Sequence, residues 1–341
     1  MGTQSRTLNV FSRRRFMQIV AVAGAATASW QLGLFGAGKR LQSARRSQPI
    51  MGTVLNLTVY GLDRDRCEEA LTQTIATMQG LEAKLSRHMA TSELAALNHN
   101  GFLETPGTDL LQVIAMAGDI SRKTSGAFDV TMLPLLLLHE ENRGNNDHVD
   151  STRLLQAQKA VGYERLVLDG SGLRLLDTGM GVSLDGIGKG YIVDRGVAAL
   201  KGLGFHNVYV EVGGDLMVSG QKDAENPWRI GIRNPRPQQE HKLVTLAVSD
   251  KAVATSGDYL QAFTPDLRHH HIIDPRNGFS PPELASCTVT APTVALADGL
   301  ATALMVLGRA DSLDLVESMD DCEAYMVGKD LQISHTTGFF S

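Results

Sequence analysis

The chain has 341 residues, of which 43% are hydrophobic and 20% charged, and its formal net charge is −5. These proportions are ordinary for a folded protein and exclude collagenous, coiled-coil and wholly disordered chains. Basic residues are concentrated before the first acidic residue, Asp63, so the rest of the chain is acidic and matches nucleic acid poorly, and we exclude nucleic acid as a partner.

The N-terminal segment is typical of a twin-arginine export signal. Arg13-Arg14-Arg15 precedes a short apolar run over 19–28, which ends in the small residues Ala26-Thr27-Ala28. A membrane-spanning helix would need about 18 strongly apolar residues, whereas Ala and Gly dominate this run. We therefore expect residues 1–46 to form a signal and linker, and the mature chain to be periplasmic, where disulfides can form.

Hydrophobic periodicity predicts a mixture of strands and helices in a domain over 47–341. Leu55, Leu57 and Val59 alternate with polar residues in a strand predicted over 53–60, and helical spacing predicts a helix over 64–85. Further helices are predicted over 109–123, 152–160, 189–203, 295–306 and 311–319, and strands over 165–168, 173–176, 208–212, 216–219, 229–233, 243–248, 252–254 and 286–291, with a closing pair. This order favours an α+β fold with mainly antiparallel sheets packed against helices. The polar stretch 140–150 is a surface loop and a candidate internal subdivision.

A glycine-rich turn over 184–191 (LDGIGKGY) begins one of the predicted helices. Gly186, Gly188 and Gly190 let the backbone approach a ligand, and Lys189 adds an ammonium where helix N-terminal amides point outward, an arrangement that suits a phosphate. The spacing fits neither a Walker loop nor a dinucleotide fingerprint. A turn with a purely structural role is the alternative.

Histidine and cysteine are the residues from which a zinc site would be built, and the sequence offers little support for one. His269-His270-His271 lies in an extended segment, but no further Cys or His stands at helical ligand spacing. His271 has three open uses: a ligand contact, a general base, or a buried structural imidazole. The three cysteines form neither a metal-binding pattern nor a dense disulfide framework, and one disulfide remains open among Cys67, Cys287 and Cys322.

Two hard oxygen ligands lie on one face of the helix predicted over 295–306. Asp298 and Thr302 are four residues apart, so a carboxylate and a hydroxyl share a face one turn apart. Mg²⁺ prefers such oxygens and keeps coordination positions open for phosphate. The alternative is that Asp298 caps the start of the helix and Thr302 only packs.

Two further segments, 213–215 (GGD) and 255–259 (TSGDY), contain glycines, hydroxyls and carboxylates that could either contact a ligand or only form turns.

Taken in chain order, these motifs resemble the ApbE family of FAD:protein FMN transferases. The resemblance rests on eight segments that cover nearly all of the mature chain: 51–53 (MGT), 92–94 (SEL) with Asn98, 126–131 (GAFDVT), 186–190 (GIGKG), 213–215 (GGD), 255–259 (TSGDY), 270–275 (HHIIDP) and 297–302 (ADGLAT). It implies an ApbE-like fold and an enzyme that uses Mg²⁺ to transfer FMN from FAD to a Thr or Ser of an acceptor protein. The transfer would form a phosphoester and release AMP.

The resemblance also implies roles for individual residues. It places the metal on Asp298, Thr302 and the backbone carbonyl of Gly186. The general base would be His271 or Asp258. The expected FAD contacts are Met51, Ala127, Phe128, Asp129, Lys189 and His271, with Lys189 on phosphate or nearby flavin oxygens.

Several positions depart from the family pattern. Ser183 and Asp185 stand where the family usually has Asp and Gly, and His88 and His139 stand where it usually has an aromatic residue and Trp. These departures put the affinity for FAD in question. The twin-arginine signal in place of a lipobox resembles the NosX-like branch, which implies an acceptor in a membrane or exported electron-transfer system. Two other hypotheses are an FAD pyrophosphatase and a non-catalytic periplasmic flavin-binding protein.

Overall fold

An eight-stranded antiparallel sheet forms the centre of the computed structural model, which describes residues 41–143, 149–222, 226–237 and 244–341. The strand order is β1-β2-β6-β7-β10-β11-β12-β13. These strands are β1 (Gln42–Ile50), β2 (Thr53–Gly61), β6 (Asn207–Val212), β7 (Asp215–Ser219), β10 (Lys251–Gly257), β11 (Leu284–Ala291), β12 (Glu323–Gly328) and β13 (Ile333–His335). The remaining strands form a three-stranded sheet, β3 (Phe102–Leu103), β5 (Gly172–Leu175) and β4 (Leu166–Asp169), and a hairpin, β8 (Trp228–Ile232) and β9 (Val244–Val248).

Eight helices are described in these parts of the chain, and three of them cover one face of the large sheet. In chain order the helices are α1 (Arg64–Leu85), α2 (Glu93–Asn100), α3 (Thr108–Lys123), α4 (Leu133–Glu141), α5 (Ser151–Lys159), α6 (Gly188–Gly202), α7 (Val294–Leu307) and α8 (Arg309–Glu317). Helices α1, α6 and α7 pack on the sheet, α6 packs against both α1 and α7, and α3 packs against α7. Their contact with the sheet is the main apolar core of the fold.

The two faces of the sheet are covered differently because side chains alternate along each strand. In β10, Ala252 and Ala254 belong to the core under the helices, whereas Val253 points to the opposite face and packs in the apolar cluster of Trp228. Trp228 lies in β8, so the β8–β9 hairpin covers the second face. The candidate site lies on the helical side, at the N-terminal ends of α6 and α7.

The α+β prediction with mainly antiparallel sheets is confirmed, and many element bounds agree closely with the sequence. The helix predicted over 64–85 is α1, the strand predicted over 53–60 is β2, and Leu55, Leu57 and Val59 are all buried. The sequence analysis missed β1, α2 and α4. β1 reads QSARRSQPI and has little apolar alternation, because it is an edge strand that pairs with β2 along one side only.

Two observations concern the predicted boundaries. β1 begins at Gln42, within the segment expected to be signal and linker, and pairs along its whole length with β2. Leu41–Ser341 forms one compact unit, and one apolar cluster contains both Leu138 and Leu154, on either side of the stretch 140–150. The predicted twin-arginine signal, residues 12–28, lies outside the described residues.

Two further observations concern the cysteines and the membrane. Cys67, Cys287 and Cys322 are buried free thiols, so the single disulfide that the sequence left open does not form. Within the described ranges, no helix combines the length and apolar character that crossing a bilayer requires.

Candidate active site

Helices α6 and α7 meet at their first turns, where each contributes a carboxylate to the other. A Cβ on Gly190 would lie 2.5 Å from the carbonyl oxygen of Val294, so only glycine permits this approach. The Asp194 carboxylate of α6 accepts hydrogen bonds from the amides of Val294 (2.8 Å) and Ala295 (2.9 Å) of α7. In return, Asp298 of α7 accepts one from the amide of Gly190 at 3.2 Å. This exchange fixes the position of Asp298 relative to the glycine-rich turn.

Lys189 lies between two buried carboxylates at this junction. Its Nζ is 2.6 Å from Asp215 and 3.2 Å from Asp298, and both carboxylates are only 5% exposed. Burial lowers the pKa of Lys189, but the two negative charges outweigh that effect, so its pKa is raised and the ammonium stays charged. Burial and the charge of Asp215 raise the pKa of Asp298, while Lys189 opposes them. The cluster carries one negative charge in excess when both carboxylates are ionised.

Thr302 and Gly186 lie next to one another, as the predicted metal site requires. A Cβ placed on Gly186 would be 3.2 Å from Thr302 Oγ1 and 3.2 Å from the Phe128 ring. The Thr302 hydroxyl also shares a hydrogen bond of 3.1 Å with Ser256 Oγ of β10. Asp298 does not cap α7, because Thr293 is the N-cap and its side chain bonds the amide of Leu296. The capping alternative raised for Asp298 is therefore wrong.

The donor set fits a hard divalent cation. A carboxylate from Asp298, a hydroxyl from Thr302 and a backbone carbonyl from Gly186 are all oxygen donors, which Mg²⁺ prefers. The described ranges contain no group of three His, Cys, Asp or Glu side chains able to hold a metal ion. A cation here would therefore depend on the hydroxyl and carbonyl oxygens and on oxygens of a bound substrate. Zinc, which favours nitrogen and sulfur, is a poor match.

The turn that presents Gly186 is attached to its surroundings on several sides. The Asn98 side chain bonds both the amide (2.6 Å) and the carbonyl (2.8 Å) of Val182, and the amide of Ser183 bonds the carbonyl of Val130 at 2.7 Å. Asp185 is paired with Arg87 at 2.9 Å. The Ser-Glu-Leu…Asn motif thus has a clear structural role, because its Asn98 holds this turn.

Two of the predicted flavin contacts, Met51 and Phe128, line the same place. Met51 and Gly52 have φ values of 46° and 68° and form the tight turn between β1 and β2. The Met51 amide donates to Glu82 at 2.6 Å, and its Cε would lie 3.7 Å from a Cβ on Gly188. Met51 therefore lies at the start of α6, beside the predicted phosphate turn.

Asp129, another predicted flavin contact, has its carboxylate committed to the protein. It accepts hydrogen bonds from the amide and hydroxyl of Thr131 and from the amide of Tyr163, and burial raises its pKa. The side chain thus closes a local turn and anchors Tyr163, while the hydroxyl of Thr131 accepts from the amide of Gly162. Ala127, which precedes Phe128, is fully buried.

The two candidate bases have very different surroundings. Burial lowers the pKa of His271 to about 4, so its imidazole is neutral at neutral pH. The charges of Lys189 and Arg143 lower this pKa further, whereas the charge of Asp185 opposes them. Its Nδ1 is buried and makes no hydrogen bond with the parts of the chain that the structure describes.

Asp258 is fully buried and bound by a guanidinium. Its two oxygens accept hydrogen bonds from Arg236 at 2.8 Å and 2.7 Å, and the ammonium of Lys329 lies 3.9 Å away. A carboxylate held on both oxygens is poorly available to remove a proton. The structure gives Asp258 a role in holding the segment that follows β8, and His271 is the better candidate base.

The positions that depart from the family pattern have distinct structural roles. Ser183 is buried and its hydroxyl accepts from the amide of Asp185 at 3.2 Å. His139 is buried, bonds the carbonyl of Gly278 at 2.8 Å and stacks on Phe263. His88 is exposed and could stack on a ligand only from the surface.

The sequence analysis assigned no role in the site to Asp215, Asp194, Ser256 or Arg87. Asp215 and Ser256 lie within motifs it singled out, but only the sheet register shows that they face the helices. Asp194 follows Lys189 within the same predicted helix and carried no signal of its own. Arg87 lies in a turn between helices, where no periodicity applies.

Comparison with known proteins assigns the family. A sequence profile of the ApbE family matches residues 51–326. The chain belongs to the ApbE family. The FAD:protein FMN transferase of Haemophilus influenzae is 30% identical over 310 residues, which cover 87% of this chain and 90% of the relative. The FAD:protein FMN transferase of Vibrio cholerae is 32% identical over 292 residues, covering 84% and 87%.

Solved structures of ApbE proteins agree with this assignment. The flavin transferase ApbE from Vibrio cholerae superposes with a TM-score of 0.78 at 29% identity and covers 88% of this chain and 98% of its own. The ApbE protein from Thermotoga maritima gives 0.77 at 27% identity, covering 87% and 98%. The predicted resemblance, the ApbE-like fold and the assignment as a transferase are therefore confirmed. None of these comparisons tests the NosX-like branch, which stays a prediction.

Proposed function

We propose that this chain transfers FMN from FAD to a hydroxyl of an acceptor protein, with Mg²⁺ as the cofactor. The observation that carries the proposal is the junction of α6 and α7, where Lys189, Asp298, Thr302 and Gly186 meet. It combines a charged ammonium, hard oxygen donors and helix N-terminal amides. Those groups suit a diphosphate, and phosphoryl transfer depends mainly on positioning and on charge stabilisation. The printed names of the relatives support the same reaction.

Asp298, Thr302 and the carbonyl of Gly186 would hold the cation, which draws negative charge from the diphosphate when bound. Lys189 is charged and only partly enclosed, so its ammonium can move from Asp298 to a phosphate oxygen while Asp215 still pairs with it. The Asp298 carboxylate would then be free to pair with the entering cation, and the Lys189 ammonium would pair with Asp215 and a phosphate oxygen. Met51 and Phe128 supply apolar surface beside the same turn.

His271 would receive the proton of the attacking hydroxyl. Its imidazole is neutral at neutral pH, as a base must be, and it lies within the electrostatic reach of Lys189. The products would be a phosphoester between FMN and a Thr or Ser of the acceptor, with AMP as the leaving group. The bond broken is the one between the FMN phosphorus and the oxygen that bridges to AMP.

The experiment that tests this proposal incubates the purified protein with FAD, Mg²⁺ and a candidate acceptor, and follows acceptor mass and free nucleotides. Covalent FMN on a Thr or Ser together with AMP is the expected result. Free FMN and AMP without an adduct would identify an FAD pyrophosphatase. Unchanged FAD bound to the protein would identify a flavin-binding protein and would contradict the proposal.

We further propose that the mature chain works in the periplasm on a membrane or exported electron-transfer protein. The support is the twin-arginine pattern, in which Arg13 and Arg14 precede a short apolar run. Replacing both with Lys should leave full-length precursor in the cytoplasm, measured by fractionation and immunoblotting. Normal export of that variant would contradict the predicted signal.

A further inference from the structure

Arg87 is a largely enclosed cation that joins two distant segments of the chain through partly exposed carboxylates. Its Nε donates to Asp185 at 2.9 Å and its Nη2 to Glu140 at 2.8 Å, while its side chain is only 9% exposed. Arg87 lies in the short turn after α1. It is 53 residues before Glu140 and 98 residues before Asp185 in the sequence. Removing an arginine from water is tolerated only when its partners satisfy it in good geometry. Arg87 thus links the Asp185 segment to the Glu140 segment through one ion pair with each carboxylate.

Each carboxylate partner adjoins one half of the candidate site. Asp185 immediately precedes Gly186, whose carbonyl is a proposed metal ligand. Glu140 lies in the last turn of α4, directly after His139. The His139 ring bonds the carbonyl of Gly278 at 2.8 Å and stacks on Phe263, with ring centroids 5.9 Å apart and planes 7° from parallel.

Phe263 belongs to the loop that carries His271. The Phe263 amide bonds the carbonyl of His269 at 2.7 Å, and the His271 amide bonds the carbonyl of Gln261 at 3.0 Å. The residues from 261 to 271 therefore form a narrow hairpin. Its Phe263 side chain packs on His139, near the end of α4. A continuous series of contacts leads from Gly186 through Arg87 and α4 to His271.

We propose that Arg87 is a positioning residue for the transfer reaction, because it fixes the Gly186 turn against the helix end that supports the His271 hairpin. This inference rests on the proposed function. Transfer needs the cation and the base to meet at the same acceptor hydroxyl, and a displacement of about 1 Å can cost about a hundredfold in rate. Arg87 contacts neither the diphosphate nor the hydroxyl in this account.

The test uses the purified protein with Arg87→Gln, and it has two readouts. Hydrogen exchange of the backbone amides over 182–188 should be faster than in the wild type, because the turn loses one of its attachments. The kcat for FMN transfer should fall by about tenfold or more, with a smaller change in KM for FAD. Arg87→Lys can satisfy only one carboxylate at a time and should give an intermediate result.

A matched pair of neighbouring glutamates supplies the control. Glu140 pairs with Arg87, whereas Glu141 pairs with Arg153 on the surface, where the two side chains are 61% and 54% exposed. Glu140→Gln should reproduce the effects of Arg87→Gln in weaker form, and it carries the test if the arginine variant does not fold. Glu141→Gln should match the wild type in both readouts.

Two results would overturn the inference: exchange and kcat that stay at wild-type values in both Arg87→Gln and Glu140→Gln, or an equal loss in Glu141→Gln. A wild-type protein that transfers no FMN would instead contradict the proposed function. In that case hydrogen exchange over 182–188 still decides whether Arg87 holds the turn.

Discussion

The two sides of the candidate site are built by different means. On the side of α6 and α7, regular helices supply the functional groups, and Asp298 and Thr302 need only four residues of helix to share a face. On the other side, the proposed base His271 lies in a hairpin that contacts α4 through Phe263 and His139, and Glu140 at the end of α4 pairs with Arg87. The comparison teaches that helix geometry fixes the first side locally, whereas contacts between distant residues fix the second.

The largest expected effect is on the helical side. Asp298→Asn keeps the shape of the side chain but removes the charge that a cation and Lys189 both need, so FMN transfer should fall by about a thousandfold. The Asp298 carboxylate is buried, so Asn is preferable to Ala, which would also leave a cavity. Steady-state rates at saturating Mg²⁺ measure the effect, with circular dichroism to confirm folding. Transfer near the wild-type rate would remove Asp298 from the metal site.

The next effect concerns the base on the opposite side. His271→Asn should lower transfer by about a hundredfold or more, because the attacking hydroxyl loses its proton acceptor. In the wild type the rate should fall as the pH drops through about 4, since only the neutral imidazole accepts a proton and burial lowers its pKa to about 4. His269→Asn is the matched control and should leave the rate close to wild type. An unchanged rate in the His271 variant would show that another group takes the proton.

Asp258 separates a structural role from a catalytic one. Asp258→Asn breaks the pair between the fully buried Asp258 and the half-buried Arg236 and should lower the free energy of unfolding by about 3 kcal/mol. The folded fraction should still transfer FMN, because a carboxylate bound on both oxygens is poorly available to remove a proton. Urea denaturation and the rate per folded molecule measure the two quantities. An inactive variant of unchanged stability would return Asp258 to the active site.

The smallest effect is on the pH dependence of stability. Burial lowers the pKa of His270 to about 3, below the value of about 6.5 in the unfolded chain. Stability from this group is therefore fully present above pH 6.5 and is lost as the pH falls towards 3, by at most about 1.4 kcal/mol per pH unit. His271 acts in the same direction down to a pKa of about 4.

Replacing His270 with Leu should reduce the slope of the unfolding free energy against pH by up to about 1.4 kcal/mol per pH unit, which corresponds to one proton. Urea denaturation between pH 4 and 7 measures this slope. An equal slope in wild type and His270→Leu would show that His270 is not a buried neutral imidazole.

The sequence predicts those parts of the fold and site whose geometry is local. Periodicity was sufficient for α1, which has buried and exposed residues at helical spacing, and for β2, in which buried residues alternate with half-buried ones along most of the strand. The same reasoning placed Asp298 and Thr302 together, since an α-helix fixes the distance between residues four apart. The motif of Gly186 and Lys189 stood out because glycines and a cation occur together at a predicted helix start, and only the resemblance chose the ligand role over a purely structural turn.

The remaining features depend on contacts that no local pattern encodes. Asp129 and Asp258 belong to motifs of the family, and only the structure shows that their oxygens are bound within the protein. Helix α4 escaped prediction because its four consecutive leucines show no helical periodicity. Arg87 had no signal, because its importance depends entirely on two carboxylates far along the chain.

The proposed reaction depends on Asp298, Thr302 and the Gly186 carbonyl together holding one divalent cation. A crystal structure with FAD and Mn²⁺, in which anomalous scattering locates the ion, would show whether they do. We expect one ion in oxygen coordination, at about 2.0–2.2 Å from the Asp298 carboxylate, Thr302 Oγ1 and the Gly186 carbonyl, and in contact with the diphosphate. An ion bound elsewhere, with Lys189 still paired to Asp298, would contradict it.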